Sequence, residues 1–429
     1  MKFDMLSPRE QLVRTMNRIY YGGMTTLSGG NLSIKDGDNS IWITPTGVDK
    51  GKLTPADIVR IMQDETVEGL HKPSSELPFH LAIYKSRPDI RAIVHAHPPA
   101  LVAFSITKAL PDTNTIPQAR GICGRVGYAP YALPGSTKLG ANIAKSFAEG
   151  YDVVILENHG VAVSGKTLLE AFQRLETLDF CARTEMYAHR LGKFRTLTET
   201  QIDVFNHRDN DLPTYVPSVH TSIERDLRGQ IVDTLKRAYQ RQLMISTEGV
   251  ISSRVHSDDF LITPTGQDRN TIDNDDLVMV VDGRREKGKL PSRSVLVHQE
   301  IYRRYPNIQS IIMAQSPYAM AYAISEQTMK TTTIPESYIL LRDVPRVAYE
   351  KQFMGDTDVI STISEQTPVV LLDNNCVLVV GTSILQAFDR LEVLEFTAKS
   401  LIDAMHIGNL KPISERDTRE LTDNFLHSS

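Results

Sequence analysis

The chain has 429 residues, 41% hydrophobic and 23% charged, a globular composition too apolar for a disordered polymer. Its formal charge of −5, from 47 Lys+Arg against 52 Asp+Glu, leaves no basic excess for a nucleic-acid backbone, and three scattered cysteines (Cys123, Cys181, Cys376) exclude a disulfide framework. Residues 1–8 lack the apolar core of a signal peptide and no run approaches membrane-spanning length, so a reduced, cytoplasmic protein without nucleic-acid or membrane partners is expected.

Leu12, Val13, Met16 and Ile19 recur with a helical period and predict a helix over residues 8–20. Ser40-Ile41-Trp42-Ile43-Thr44 reads as a short strand entering a Pro/Gly turn. Pro73-Ser74-Ser75-Glu76 is predicted to open a helix with a serine N-cap and with Leu77, Leu81 and Tyr84 along one face. Residues 90–96 read as a strand stopped by Pro98-Pro99, and 153–156 as another bounded by Asn158-His159-Gly160. A long helix over 168–191 closes the series. Helices alternating with short strands imply a layered α/β domain, with the sheet in the middle and helices on both sides.

The same series then recurs. Ile43-Thr44-Pro45-Thr46-Gly47 returns as Ile262-Thr263-Pro264-Thr265-Gly266, and His80-Leu81-Ala82-Ile83-Tyr84 as His298-Gln299-Glu300-Ile301-Tyr302. Val153-Val154-Ile155-Leu156-Glu157-Asn158 matches Val369-Val370-Leu371-Leu372-Asp373-Asn374, and Ala171-Phe172-Gln173-Arg174-Leu175-Glu176 matches Ala387-Phe388-Asp389-Arg390-Leu391-Glu392. The order is preserved and the offset stays near 217, as in a tandem duplication of one domain. Between the copies, residues 196–221 are polar and carry Asn206-His207-Arg208-Asp209-Asn210-Asp211 and two prolines, a linker with one short helix. The expected organisation is a first domain over 1–205, a linker over 206–222 and a second domain over 223–429.

His95-Ala96-His97 ends a predicted strand, so both imidazoles project to one face. His159 follows the 153–156 strand in a tight turn. If these strand ends are neighbours, three imidazoles converge with a coordination position left open, as at a catalytic zinc. An H-x-H arises by chance in roughly one such chain in three. The duplication is an internal control: at the equivalents of His95, His97 and His159 the second copy has Met313, Gln315 and Asn375. Structural histidines have no reason to vanish as a set, whereas ligands of one ion lose their purpose together. Glu76 disappears with them, replaced by Ser294, which favours an acid/base or ligand role over a helix-dipole one. His80 survives as His298 and reads as structural. Gly29-Gly30-Asn31-Leu32-Ser33, Thr44-Pro45-Thr46-Gly47 and Ser74-Ser75 are suited to a phosphate. The second copy replaces Asn31 by Val250 and Ser75 by Arg293 but keeps Thr265-Gly266, so Thr46 and Gly47 carry a structural component as well.

In order along the first copy, Gly30-Asn31-Leu32-Ser33, Ile43-Thr44-Pro45-Thr46-Gly47, Lys72-Pro73-Ser74-Ser75-Glu76, Ser86-Arg87-Pro88-Asp89, His95-Ala96-His97, Ala129-Pro130-Tyr131 and Asn158-His159-Gly160 form a set. This set resembles the class II (zinc-dependent) aldolase/adducin family, and within it the fuculose-phosphate type of sugar aldolase. The resemblance spans about 190 residues of the first copy, while the other copy reads as the same domain stripped of its chemistry. It implies two tandem three-layer α/β/α domains, each with a central mixed, largely antiparallel sheet. It also implies one Zn2+, or another divalent ion, per chain on His95, His97 and His159. Glu76 would be acid/base and possible fourth ligand, with phosphate held by Asn31, Thr46, Gly47, Ser74 and Ser75.

The implied reaction is aldol cleavage of a ketose 1-phosphate to dihydroxyacetone phosphate and an aldehyde. One departure stands out. The family places a tyrosine shortly after an Ile-Pro, contributed to a neighbouring subunit's site, whereas Ile116-Pro117 is followed here by Gln118-Ala119-Arg120-Gly121. The second copy has Ile334-Pro335-Glu336-Ser337-Tyr338. The family's fourfold rings therefore suggest a homodimer mimicking a tetramer, with Tyr338 or Glu336 completing a catalytic site. Epimerisation, dehydration or decarboxylation of a related phosphate, and a non-catalytic adducin-like binding module, are the alternatives. Arg120 or Arg125 would suit a carboxylate in place of a phosphate.

Overall fold

Runs of Val and Ile bounded by turn residues set the strands in a computed structural model of the protein, which describes residues 3–207, 211–353, 357–364 and 366–426. The chain divides into two compact units: residues up to Thr113 with Ala119–Arg183, and Asn114–Gln118 with everything from Thr184 onward.

The first unit's sheet comprises β1 (Asn31–Lys35), β2 (Ile41–Ile43), β3 (Val59–Ile61), β4 (Val67–Glu68), β5 (Ala92–Ala96), β6 (Val126–Ala129), β7 (Val153–Leu156) and β8 (Gly160–Gly165). Their order is β4-β3-β2-β1-β5-β8-β7-β6, antiparallel throughout except for the parallel β6–β7 pair. Every residue of β5, β7 and β8 is buried because helices cover both faces. Helices α1 (Pro8–Tyr21), α2 (Leu77–Ser86), α3 (Pro99–Thr107), α4 (Pro117–Cys123), α5 (Thr137–Ala148) and α6 (Leu168–Leu191) accompany it. On one face Phe79, Ile83 and Tyr84 of α2 and Leu139, Ile143 and Phe147 of α5 pack over Ile43, Ile93, Val154 and Leu156. Each such fully buried apolar side chain contributes roughly 1.5–3 kcal/mol. The opposite face is met by α1 and α3.

The predicted helices and strands are present, with two corrections around α2. Its N-cap is Glu76, not a serine, and the carboxylate makes no capping bond; the Oγ of Ser74 accepts the Glu76 N–H instead, at 3.3 Å. Its buried face is Phe79, His80, Ile83 and Tyr84, and Leu81 is exposed. Both follow from where Glu76 turns: its carboxylate points to the sheet's histidines, which rotates the helix face with it.

After α6 come α7 (Glu199–Asn206) and α8 (Ser222–Gln240), then α9 (Val295–Arg304), α10 (Pro317–Ile324), α11 (Pro335–Leu341), α12 (Thr357–Thr362), α13 (Ile384–Ile407) and α14 (Glu415–Phe425). The second sheet holds β9 (Thr214–Tyr215), β10 (Val250–His256), β11 (Asp259–Ile262), β12 (Val278–Val281), β13 (Arg284–Glu286), β14 (Ser310–Ala314), β15 (Arg346–Val347), β16 (Val369–Leu372) and β17 (Cys376–Gly381). Its order, β15-β16-β17-β14-β10-β11-β12-β13-β9, repeats the first sheet strand for strand and adds β9 at one edge, parallel to β13. Register is shared as well: Asn31 faces His95 across β1–β5, and Val250 faces Met313 across β10–β14. The two units are therefore tandem α/β domains with mixed, mainly antiparallel sheets.

The segment between the repeats is less of a tether than its polarity suggests. The short helix expected there is α7, whose Ile202 and Phe205 are buried with Leu197 and Tyr349 in the second unit. Arg208–Asn210 of the polar run lie outside the described residues. No helix among the described residues is long and apolar enough to cross a membrane.

Candidate metal centre

His95, the fourth residue of β5, is fully buried, and its Nδ1 faces the carbonyl oxygen of Val161 on β8 at 2.9 Å. That carbonyl can only accept, so Nδ1 carries the proton and the Nε2 lone pair is directed away from the sheet. His97, two residues on, brings its Nε2 to 3.0 Å from His95 Nε2. His159 enters from the β7–β8 turn, where Asn158 takes a left-handed conformation (φ 53°) to reverse the chain. One nitrogen from each of the three imidazoles lies within 4.8 Å of the others. Space around them is tight: a Cβ on Gly29 would come within 2.8 Å of His97 Nδ1, and one on Gly160 within 2.6 Å of His97 Cδ2 and of the Ala96 oxygen.

Glu76 completes the group. Its Oε2 lies 3.2 Å from His95 Nε2 and accepts from Asn31 Nδ2 at 2.8 Å, while its Oε1 lies 3.6 Å from His159 Nε2 and has no hydrogen-bond partner among the described residues. Burial raises the carboxyl's pKa, but the charges on His95 and His159 and the bonds from His95 and Asn31 outweigh it and hold the group well below the usual carboxylate range. Burial, then the neighbouring imidazolium of His95, pushes His97 down to about 3 and His159 down to about 4. Both are thus neutral at ordinary pH, the state a ligand requires. His95 moves up, because the adjacent Glu76 overcomes its desolvation.

A buried relay fixes the carboxylate from behind. Tyr84 and Ser33 hydroxyls lie 2.8 Å apart, Ser33 Oγ is 2.7 Å from His80 Nδ1, and His80 Nε2 is 2.5 Å from Asn31 Oδ1. With His80 Nε2–H donating to Asn31 Oδ1, the amide presents its NH2 to Glu76. His80 is therefore structural, as its survival in the second copy implies, and it also sets the orientation of Asn31. Its counterpart keeps only the first part: Ser252 Oγ lies 2.7 Å from both His298 Nδ1 and Tyr302 OH, while His298 Nε2 meets Met313 Sδ at 3.3 Å.

Beside this group run two paired loops. Thr46 N–H donates to Lys72 O, Ser74 N–H donates to Thr44 O, and Pro45 bridges Pro73. Thr46, Gly47 and Ser75 are exposed there and Ser74 is buried. Asn31, the other residue expected at the phosphate, donates from Nδ2 to Glu76 Oε2. Sequence reasoning missed Lys50: it is 2% exposed, its Nζ donates to the Pro45 carbonyl, and burial brings it down to about 8. Arg269 occupies the same place in the second copy, fully buried, and donates to the Gly249 and Gln267 carbonyls. The shared basic position at an offset of 219 was the available signal. Arg125 stands over the Tyr151 ring, 5.9 Å from its centroid. Tyr338 belongs to the second unit, where its hydroxyl lies 2.9 Å from Thr422 Oγ1.

The donor set suits a divalent cation: three convergent imidazole nitrogens, one tautomer fixed by a backbone carbonyl, and a buried carboxylate oxygen otherwise unpartnered. The equivalent positions in the second unit, Met313, Gln315, Asn375 and Ser294, offer no such set.

The family model described as "Class II Aldolase and Adducin N-terminal domain" matches twice, over residues 10–186 and 229–402. The 3-oxo-tetronate 4-phosphate decarboxylase of Haemophilus influenzae is 33% identical over 207 residues, 47% of this chain and 98% of that protein. The L-fuculose phosphate aldolase of Methanocaldococcus jannaschii is 35% identical over 173 residues, 40% of this chain and 91% of that protein. A solved structure of an L-fuculose 1-phosphate aldolase is 32% identical, covers 47% of this chain and 95% of that one, and superposes with a TM-score of 0.43. A double match over most of its length, on two domains that share the order of eight strands, places this chain in the class II aldolase and adducin N-terminal domain family, with the domain present in tandem.

Proposed function

We propose that the first unit is a zinc-dependent lyase that cleaves a ketose 1-phosphate to dihydroxyacetone phosphate and an aldehyde. The observation that carries this reading is the asymmetry of Glu76. Oε2 accepts from Asn31, and Oε1 is buried, lies 3.6 Å from His159 Nε2 and has no hydrogen-bond partner among the described residues. Such a carboxylate has one oxygen for orientation and one for proton transfer. His95, His97 and His159 would hold the ion, which supplies Lewis acidity to the substrate's carbonyl and hydroxyl oxygens. Glu76 moves a proton between Oε1 and the substrate as the C3–C4 bond breaks. Thr46, Gly47, Ser74 and Ser75 bind the phosphate, Asn31 holds Glu76 beside it, and the Lys50 ammonium adds positive potential under the loop.

Decarboxylation of a keto-acid phosphate is the second reading. The absence of a tyrosine after Ile116-Pro117 and the likeness to the Haemophilus influenzae decarboxylase favour it. One panel separates the two: ketose 1-phosphates assayed for dihydroxyacetone phosphate, and 3-oxo-tetronate 4-phosphate assayed for CO2. Triose phosphate from any ketose 1-phosphate supports the first reading; CO2 release from 3-oxo-tetronate 4-phosphate, which leaves dihydroxyacetone phosphate as its other product, with no triose phosphate formed from any ketose, replaces it by the second.

The assembly proposed is a homodimer in a pseudo-fourfold ring, one metal per chain. Its support is internal. In the second unit Gln118 Nε2 donates to Asn375 Oδ1 at 3.0 Å, and Asn375 stands where His159 stands in the first. Glu336 follows Ile334-Pro335 as Gln118 follows Ile116-Pro117, so Glu336 of the partner subunit is the positional counterpart that would meet His159 in such a ring. Glu336 is exposed, whereas the Tyr338 hydroxyl is already engaged by Thr422, so Glu336 is the better candidate to complete the site. Light scattering that gives a monomer, or Glu336→Gln and Tyr338→Phe variants with unchanged turnover, would confine the second unit to scaffolding.

A further inference from the structure

The second unit, stripped of its metal ligands, still has a cavity of about 50 Å³ in the corresponding place. Its wall includes Gln118, Gln315 and Asn375, with Val250, Met313 and Phe205 supplying apolar surface. The amides in this wall are not free to choose their orientation. Gln352 Nε2 faces two backbone carbonyls, Val347 O at 3.2 Å and Asp373 O at 2.9 Å, so it must be the donor there. Its Oε1 then accepts from Asn375 Nδ2 at 2.8 Å, and Asn375 Oδ1 in turn accepts from Gln118 Nε2 at 3.0 Å. Gln315 Nε2 donates to the Asn375 backbone carbonyl at 3.2 Å.

Two oxygens remain at the end of this chain of donors. Gln118 Oε1 and Gln315 Oε1 are buried without a hydrogen-bond partner among the described residues, on residues 7% and 4% exposed. A buried acceptor left in that state is unfavourable unless something donates to it. Both amides hang on the one residue Asn375, and both residues line the same cavity.

We infer that this cavity is a metal-free binding site for a small polyhydroxy compound, whose neighbouring hydroxyls donate to Gln118 Oε1 and Gln315 Oε1. The charges in the wall favour a neutral donor: Glu248 and Arg293 face each other at 3.9 Å and cancel, and the Arg293 guanidinium stacks over Phe205 at 4.6 Å. A polyol's C–H faces suit the apolar walls, and the volume of about 50 Å³ admits one or two groups the size of water, the terminal hydroxyls of a short chain whose remainder lies at the mouth. The site is independent of which reaction the first unit catalyses.

The test uses the full-length, metal-loaded chain with erythritol as probe, read by saturation-transfer NMR and by competition with glycerol. Three variants locate the site. Gln315→Leu removes one acceptor and is expected to weaken binding about tenfold or more. Ser294→Phe places a ring into the cavity from a wall residue outside the chain of amides and should abolish binding. It also serves if Gln315→Leu fails to fold, as checked by thermal melting. His95→Ala, which disables the first unit's site, should leave binding intact. Absence of erythritol binding to the wild-type chain overturns the proposal. So does binding that survives Ser294→Phe, binding that His95→Ala removes, or a crystal grown with erythritol in which only a water bridges the two amide oxygens.

Discussion

Asn31 Nδ2 donates to Glu76 Oε2 at 2.8 Å, and the same amide accepts from the fully buried His80 at 2.5 Å. The candidate acid/base is thus oriented by a residue whose own orientation is set from inside the core. Replacing Asn31 by Leu leaves Glu76 free to rotate and the His80 Nε2–H unpaired. Turnover should fall roughly 10- to 100-fold, with a loss of about 1–3 kcal/mol in unfolding free energy. Steady-state kinetics and denaturant melts check this; unchanged turnover would remove Asn31 from the orienting role.

The second unit shows what the first becomes without its ligands. The triple variant His95→Met, His97→Gln, His159→Asn copies the Met313, Gln315 and Asn375 pattern onto an equivalent framework. It should fold with a change below about 2 kcal/mol and bind no metal under conditions in which the wild type is expected to bind one ion per chain. Elemental analysis and thermal melting read the two outcomes separately. A variant that fails to fold would make the histidines structural.

Lys50 gives a pH prediction. Burial lowers its pKa from the ordinary 10.5 to about 8, so folding disfavours its charged form. Below pH 8 the ammonium is charged in both states and the full cost is present; between pH 8 and 10.5 the folded state is neutral while the unfolded chain still binds the proton, and stability rises. Relative to Lys50→Met, the wild type should gain up to about 3 kcal/mol of unfolding free energy across that window. A flat difference would mean the ammonium is hydrated. Inorganic phosphate bound at the neighbouring loop should shift the rise to higher pH.

Gly160 lies at the start of β8, directly against His97. A Cβ there would sit 2.6 Å from the Ala96 carbonyl oxygen, which belongs to a central strand and cannot yield, and 2.6 Å from the imidazole. Gly160→Ala should cost about 2 kcal/mol and weaken metal binding roughly tenfold, measured by competition with a chelator. Retained affinity would show that His97 is not a ligand.

Much of this arrangement is legible in the sequence, for an identifiable reason. Strands such as Val153–Leu156 are short, apolar and bounded by turn residues, so their limits are local properties. The ligand set emerges because two copies of one framework differ where the chemistry differs. What local pattern does not reveal are contacts set by distant partners. Glu76 occupies the N-cap of α2 because its carboxylate is drawn to His95, against the serine preference of an isolated helix. Lys50 reads as a surface lysine until the Pro45 carbonyl is brought over it. Ile202 and Phe205 lie in a polar stretch, and only Leu197 and Tyr349 give them something to pack on. Gln118 gains its meaning from Asn375, 257 residues away.

The buried trio of Ser33, His80 and Tyr84 recurs as Ser252, His298 and Tyr302, with matching distances in both units. One trio leads on to the buried carboxylate of Glu76; the other ends against a thioether. Tyr302→Phe therefore measures what the trio contributes to folding alone, and Tyr84→Phe measures that same quantity plus its influence on chemistry. The molecule carries its own reference compound: subtracting one substitution from the other isolates, within a single polypeptide, how far the candidate acid/base depends on the rigidity of the core beneath it.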